Sequence, residues 1–384
     1  MRVLILGAGF GGLELATTLS EQQGADADVV LIDRSDHFVF GFSKLDVMFG
    51  RRTPTSVQLP YATIDKPGVR FVRATIRAID PAAKRVETDA GDFEGDVLVV
   101  ALGADLDPGA TPGLVEAGHE FYTNEGAIEC RRVLADFEGG HVMVGVTSTP
   151  FKCPPAPSET ALLLHDHLRK RGIRGRSSVS LVMPLPVPIP PSPAASEAIL
   201  AAFEARGIAW HPGRLVTRLD AARRVAVFSD DTELAFDLFL GVPKHVAPSV
   251  VLASGLAVDG WIPVDPHTLE TSVTDVYAVG DVTSVGTPKA GVFSEGQASV
   301  VAAAILARER GVAPTSGYDG RGTCYLEFGE DLVGRVTVSF LAGTPPAGEL
   351  AGPSAEIAAE KGEFGSSRVR RWFDRTWEPA ATGS

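Results

Sequence analysis

The stretch that decides the fold is Met1-Arg2-Val3-Leu4-Ile5-Leu6-Gly7-Ala8-Gly9-Phe10-Gly11-Gly12, completed by Val29-Val30-Leu31-Ile32-Asp33. An apolar run enters a glycine turn, a helical pattern follows (Leu13, Leu15, Ala16, Leu19), and a second apolar run ends on an acid. Strand, glycine turn, helix and strand in this order read as a dinucleotide-binding unit. Gly7 permits the tight turn, Gly9 lets a pyrophosphate approach the backbone, and Gly12 lets helix and strand pack closely. The helix start offers unpaired N–H groups and positive potential to the phosphates. Asp33, about 20 residues further on, is placed to accept the hydrogens of a ribose diol. The motif specifies a dinucleotide and leaves FAD and NAD both open.

Length and composition bound what surrounds this unit. A chain of 384 residues is too long for one ordinary domain. A hydrophobic share of 45% with 22% charged residues describes a globular chain with real cores. The net charge of −13 argues against nucleic acid as a partner. Apolar runs are too short to span a bilayer, and a fingerprint starting at residue 3 leaves no room for a secretory signal. The expectation is a cytoplasmic protein. The cysteines Cys130, Cys153 and Cys324 suit a reducing compartment, and their spacing matches no metal site. His165 and His167 point to different helix faces, so no metal is expected there either.

Two further stretches repeat the theme of a strand ending in glycine or acid. One is Val97-Leu98-Val99-Val100-Ala101-Leu102-Gly103-Ala104, the other Val276-Tyr277-Ala278-Val279-Gly280-Asp281. In parallel sheets the carboxyl ends of strands line the ligand crevice, so one elongated cofactor can meet all three. Between them, strand and helix patterns over residues 125–236 repeat the plan of the N-terminus, and Asp237–Gly241 reads as the return to the first domain. Beyond Gly317, Thr323–Phe328 and Gly334–Phe340 read as strands.

In this light the chain resembles the flavoproteins with two dinucleotide folds: glutathione-reductase-like enzymes, type II NADH dehydrogenases, sulfide:quinone oxidoreductases and the flavin subunit of flavocytochrome c sulfide dehydrogenase. The resemblance implies an α/β fold with two Rossmann-like domains and a small C-terminal α+β region. It places an FAD-binding domain at 1–108 and 240–312, a second Rossmann-like domain at 109–239, and the C-terminal domain at 313–384. FAD is the implied cofactor. Its adenosine diphosphate falls to Gly7, Gly9, Gly12 and Asp33, while Ala101 and Gly103 pass the flavin. Gly280 and Asp281 take the ribityl chain. Lys289, where the chain enters a helix aimed at the flavin pyrimidine ring, stabilises negative charge there.

The second Rossmann unit has no glycine fingerprint of its own. Its turn is Gly145-Val146-Thr147-Ser148-Thr149-Pro150-Phe151-Lys152-Cys153, with β-branched residues and a proline where glycines belong. Its second strand runs into Met183-Pro184-Leu185-Pro186, without an acid for a ribose. The stretch Lys152-Cys153-Pro154-Pro155-Ala156-Pro157-Ser158-Glu159 is similar instead to the cysteine-proline loop of the sulfide-oxidising families. There the loop cysteine pairs with one from the C-terminal region, matched by Cys324, and a following glutamate, matched by Glu159, is the proton acceptor. Lys152 and the helix start near Ser158 are expected to favour a Cys153 thiolate. Cys130 reads as a core residue.

The reading is an FAD-dependent oxidoreductase of small sulfur compounds, with a quinone or a protein as acceptor. Two alternatives stay open: an NAD(P)H-dependent flavin reductase with a divergent nicotinamide site, and a flavin-binding protein without turnover. The segment from Arg368 to Trp377 mixes arginines with Trp372, Phe373 and Trp377. Packing on the body or on a second subunit in a homodimer is the favoured reading, and a peripheral membrane anchor is the competing one.

Overall fold

The computed structural model describes residues 1–314, 317–341 and 343–377. The proposed C-terminal domain at 313–384 therefore extends beyond the described residues. Two five-stranded parallel sheets and a C-terminal three-stranded antiparallel sheet meet around a shared crevice, with smaller antiparallel sheets beside them.

The first sheet runs Val276–Ala278, Val97–Val100, Arg2–Leu6, Asp28–Asp33 and Val69–Arg73, all parallel. Val97–Val100 and the inner stretches Val3–Leu6 and Val29–Ile32 are apolar because both faces are covered, while the edge strand Val69–Arg73 exposes Arg70 and Arg73. Side chains alternate along a strand, so Val3 and Ile5 join the core under the helices, while Leu4 and Leu6 join the core on the opposite face. The helices Phe10–Gln23 and Gly291–Glu309 pack together on the first of these faces. A three-stranded meander, Ile76–Asp80, Arg85–Thr88 and Gly91–Glu94, contributes Ile79 and Val86 to the other.

The second sheet runs Gly118–Glu120, Leu238–Val242, Gly140–Val146, Ser177–Met183 and Ile208–Pro212, again parallel. Leu238–Val242 differs from the expectation of a return segment. It is an inner strand, because all five of its residues are buried between Gly118–Glu120 and Gly140–Val146. The chain crosses back only at Lys244–Val246, which pairs antiparallel with the outgoing Asp105–Asp107. The boundary near 239 thus falls inside a sheet that continues to Val242.

The third sheet is antiparallel: Arg321–Gly329, Leu332–Ser339 and Ala347–Ser354. Its last strand, Ala-Gly-Glu-Leu-Ala-Gly-Pro-Ser, lacks strand-forming residues and holds only as an edge, the place where proline is tolerated. Ser354 then caps the helix Ala355–Phe373 by accepting from the Ile357 N–H. Strand Arg321–Gly329 lies against both helix Gly291–Glu309 and helix Ala156–Lys170. This docking carries the C-terminal region to the mouth of the other two units.

Candidate active site

One cavity of about 400 Å³ lies where the three units meet. Its walls include Gly9 and Gly11 of the fingerprint, the Ala101–Ala104 turn, Gly280 and Asp281, and the Lys289–Val292 segment. The cysteine-proline loop adds Cys153 and Glu159, and the third sheet adds Cys324. Residues separated by most of the chain thus share one chamber.

The fingerprint half of the cavity fits an extended dinucleotide. A Cβ at Gly12 would lie 1.9 Å from the Gly7 carbonyl oxygen, so helix and strand meet there with no room for a side chain. A Cβ at Gly9 would meet nothing within 4 Å: the turn faces open space in the cavity and leaves a cradle beside the helix start. Asp33 accepts from the Ala8 N–H at 2.7 Å and the Ser35 N–H at 2.8 Å. These bonds aim the carboxylate and leave lone pairs on both oxygens for a diol. At the other end, Asp281 Oδ1 is buried without a hydrogen-bond partner among the described residues. Burial raises the pKa of Asp281, against the pull of Lys152, Lys289 and Lys44. An acceptor left in this state suits a hydroxylated ligand chain. The Gly280 N–H donates at 2.6 Å to Oε1 of Gln297, a buried polar residue of helix Gly291–Glu309.

Lys289 lies beside this turn, but not as a free charge over the cavity. Its Nζ donates to the carbonyls of Asp281 at 2.6 Å and Thr283 at 3.0 Å, and it sits 3.4 Å from the centroid of the Trp261 ring. Burial pulls its pKa down to about 8, against the attraction of Asp281. The ammonium group braces the Gly280–Asp281 turn from behind.

Cys153 and Cys324 are both free thiols lining the same cavity. Cys153 has φ +49, a left-handed conformation that costs a non-glycine residue about 1–2 kcal/mol. Its N–H donates to the Lys289 carbonyl at 2.7 Å, which ties the cysteine loop to the cofactor wall. The expectation of a favoured thiolate is corrected here. Lys152 turns its Nζ to the Ala104 carbonyl, 2.9 Å away. Burial pushes the Cys153 thiol well above its ordinary range, and the charges of Glu159 and Cys324 add to this. Only the Ala156 N–H at the helix start opposes them. Cys324 is pushed up to about 12 by burial and by Glu159. Cys130 is fully buried within helix Asn124–Asp136, its Sγ donating to the Glu120 carbonyl at 3.3 Å, and it is not among the residues lining the cavity.

Glu159 is 5% exposed, and burial raises its pKa to about 7. Its Oε1 accepts from the Glu327 N–H at 2.9 Å. Glu327 anchors an ionic cluster that sequence reading missed: Lys361 and Arg51 both bind its carboxylate, and Arg51 reaches Asp46 at 2.8 Å. Burial alone would raise the Glu327 pKa, but Lys361 and Arg51 outweigh it and hold it well below the carboxylate range. The signal available was a single acid inside the apolar run Tyr325-Leu326-Glu327-Phe328. Lys44 and Tyr122, also missed, line the cavity as well; neither stands in any motif. Lys44 Nζ donates to the Tyr122 carbonyl at 2.7 Å, and burial, with Lys152 nearby, lowers its pKa to about 8.

The basic aromatic segment closes helix Ala355–Phe373 and packs on the first domain. Trp372 and Phe373 are almost completely buried. Trp372 Nε1 donates to Glu14 Oε2 at 3.0 Å, Arg371 also binds Glu14, and Arg368 grips Glu295 at 2.7 and 2.8 Å. Trp377 stacks on Phe40 at 5.4 Å. These rings pack against protein, as the favoured reading of the segment expected. No helix among the described residues is long and apolar enough to cross a membrane.

A family model described as pyridine nucleotide-disulphide oxidoreductase matches residues 1–305. The mitochondrial sulfide:quinone oxidoreductase of Mus musculus is 24% identical over 347 residues, covering 86% of this chain and 76% of that protein. A type II NADH:quinone oxidoreductase of Staphylococcus saprophyticus is 40% identical over 104 residues, 27% of this chain and 26% of that one. Among solved structures, the sulfide:quinone oxidoreductase of Aquifex aeolicus aligns with a TM-score of 0.85 at 22% identity, covering 97% of this chain and 92% of that one. The chain thus belongs to the pyridine nucleotide-disulphide oxidoreductase family, an FAD-dependent oxidoreductase with the fold of a sulfide:quinone oxidoreductase.

Proposed function

We propose that this enzyme oxidises sulfide or a closely related small sulfur compound through Cys153 and Cys324, with a quinone as the final acceptor. The observation that carries the reading is that both cysteines open on the cavity lined by Gly9, Ala101, Gly103, Gly280 and Asp281, with Glu159 in the same wall. Gly7, Gly9, Gly12 and Asp33 would hold the adenosine diphosphate of FAD, and Asp281 the hydroxylated chain. When bound there, FAD supplies a two-electron sink between the sulfur centre and the quinone.

The chain's own residues do the rest. In the oxidised enzyme Cys153 and Cys324 form a disulfide. A hydrosulfide anion attacks one sulfur, the S–S bond breaks, one cysteine carries the added sulfur as a persulfide, and the other leaves as a thiolate. Glu159, with a pKa of about 7, takes the persulfide proton and passes it on. The buried site disfavours any thiolate left without a partner. The disulfide would be restored once the added sulfur has left on a nucleophile such as a second hydrosulfide and the two cysteines have given up two electrons, for which bound FAD would be the sink.

A nicotinamide donor is the second reading, favoured by the local match to a type II NADH:quinone oxidoreductase. The turn from Gly145 to Cys153 argues against it. Anaerobic titration of the holoenzyme with sulfide and, separately, with NADH decides between them by flavin absorbance. Bleaching by sulfide, lost in Cys153→Ser, is the expected result. Bleaching by NADH alone, or an undiminished response in C153S, removes the cysteine mechanism. Non-reducing peptide mapping of the oxidised protein should show a 153–324 crosslink.

A further inference from the structure

The cavity wall holds one polar group that neither the cofactor motifs nor the cysteine pair uses. Tyr122 lines the cavity, is 8% exposed, and its hydroxyl has no hydrogen-bond partner among the described residues. Buried hydroxyls are ordinarily paired, so the natural partner of this one is something that enters the cavity.

The ring is held firmly in place. The Tyr122 N–H donates to Glu120 Oε2 at 2.6 Å, and its carbonyl accepts from Lys44 Nζ. His245 packs edge-on against the ring at 5.2 Å and 83°. Burial pulls the His245 pKa down to about 3, so the imidazole is neutral, its Nδ1–H donating to the Pro243 carbonyl at 2.9 Å. It braces the tyrosine without adding charge.

The surrounding charges place the phenol near the cysteine loop. Those acting on Tyr122 are Cys153 and Glu159, and Cys153 in turn feels Asp281, so the phenol, the thiol and the cofactor turn share one chamber. Burial, with Glu159 nearby, keeps the phenol protonated. Toward an anion, a protonated phenol acts as a donor. A sulfur anion that leaves water for this cavity loses its hydration, and a preplaced O–H restores part of it.

We propose that Tyr122 is a substrate-binding residue whose hydroxyl donates a hydrogen bond to the small sulfur anion approaching Cys153. This rests on the sulfur-oxidation reading above. The test is Tyr122→Phe in the FAD-loaded enzyme, which removes the oxygen and keeps the ring. Flavin bleaching is followed by anaerobic stopped flow against sodium sulfide concentration. The expected result is wild-type FAD content and melting temperature, with the half-saturating sulfide concentration raised about tenfold or more. Tyr122→His, which retains a donor, should recover part of that loss. It also supplies the comparison if the phenylalanine variant does not fold.

A concentration dependence within about twofold of wild type in Y122F, or in the equally donor-free Tyr122→Leu if Y122F does not fold, overturns the proposal. Loss of FAD from Y122F with unchanged sulfide affinity in the loaded fraction also overturns it, because the cofactor is then the partner of the phenol. A wild-type enzyme that sulfide fails to bleach overturns the sulfur reading itself and this proposal with it. That pattern is distinct from a failure confined to the variants.

Discussion

Glu159 owes its proton affinity to position rather than to residue type. A carboxylate with no neighbours but apolar ones rises far, whereas here Lys361 and Arg51 pull against the desolvation and hold the value at about 7. Below that pH the group is protonated and cannot accept; above it the carboxylate is free to do so. Sulfide-driven flavin reduction should therefore speed up as pH rises through 7. Glu159→Gln should slow it about 10²-fold above pH 7 and much less below. A stopped-flow pH series in both proteins checks this, and coincident profiles would discount the role. Stability has the opposite sign. A carboxyl whose pKa is raised on folding penalises the folded state once it ionises, so E159Q should be the more stable protein above pH 7. The two should converge below the unfolded value of 4.5. Chemical denaturation at pH 4.5 and pH 8 measures the difference.

At the scale of an element, the fingerprint turn separates packing from binding within a few residues. Gly12 faces the Gly7 carbonyl, and Gly9 faces the cradle. Gly12→Ala forces backbone apart, so it should cost both stability and cofactor. Gly9→Ala meets no protein atom within 4 Å, and should leave the melting temperature of the apoprotein near wild type while cutting FAD retention. Flavin absorbance after desalting, set beside the melting curve of the apoprotein, distinguishes the two. This element was also the most legible in sequence: Gly7 to Gly12 and Asp33 encode a local geometry, complete within one βαβ unit. The segment Ala347–Phe373 was illegible by comparison. Its strand is short of β-formers and its helix carries Gly362 and Gly365, so contacts with Leu332–Ser339, with helix Pro193–Arg206 and with the first domain stabilise it.

At the scale of the molecule, the C-terminal helix locks the cofactor domain. Trp372 packs edge-on against Phe10, a cavity residue next to the fingerprint glycines, at 5.7 Å. It also shares the buried Glu14 with Arg371. Trp372→Ala should cost about 3–5 kcal/mol and loosen FAD, read as a lower melting temperature and a faster loss of flavin on dilution. Because these rings are spent on protein contacts, anionic vesicles should leave the tryptophan emission of the native enzyme unchanged. A blue shift on adding vesicles would show the segment inserting instead.

The amino-acid sequence by itself determined the dinucleotide turn, the two parallel α/β units, and the loss of a fingerprint in the second. Each of these is written in residues close together in the chain, where backbone geometry and side-chain periodicity act locally. The tertiary structure decided what could not be local. It brought Cys324 from the third sheet to the chamber of Cys153, turned Lys152 away to a carbonyl, set Glu159 against the Glu327–Arg51–Lys361 cluster, and left the Tyr122 hydroxyl unpaired. Burial and charge at a site are sums over every element packed around it, and no stretch of sequence contains that sum.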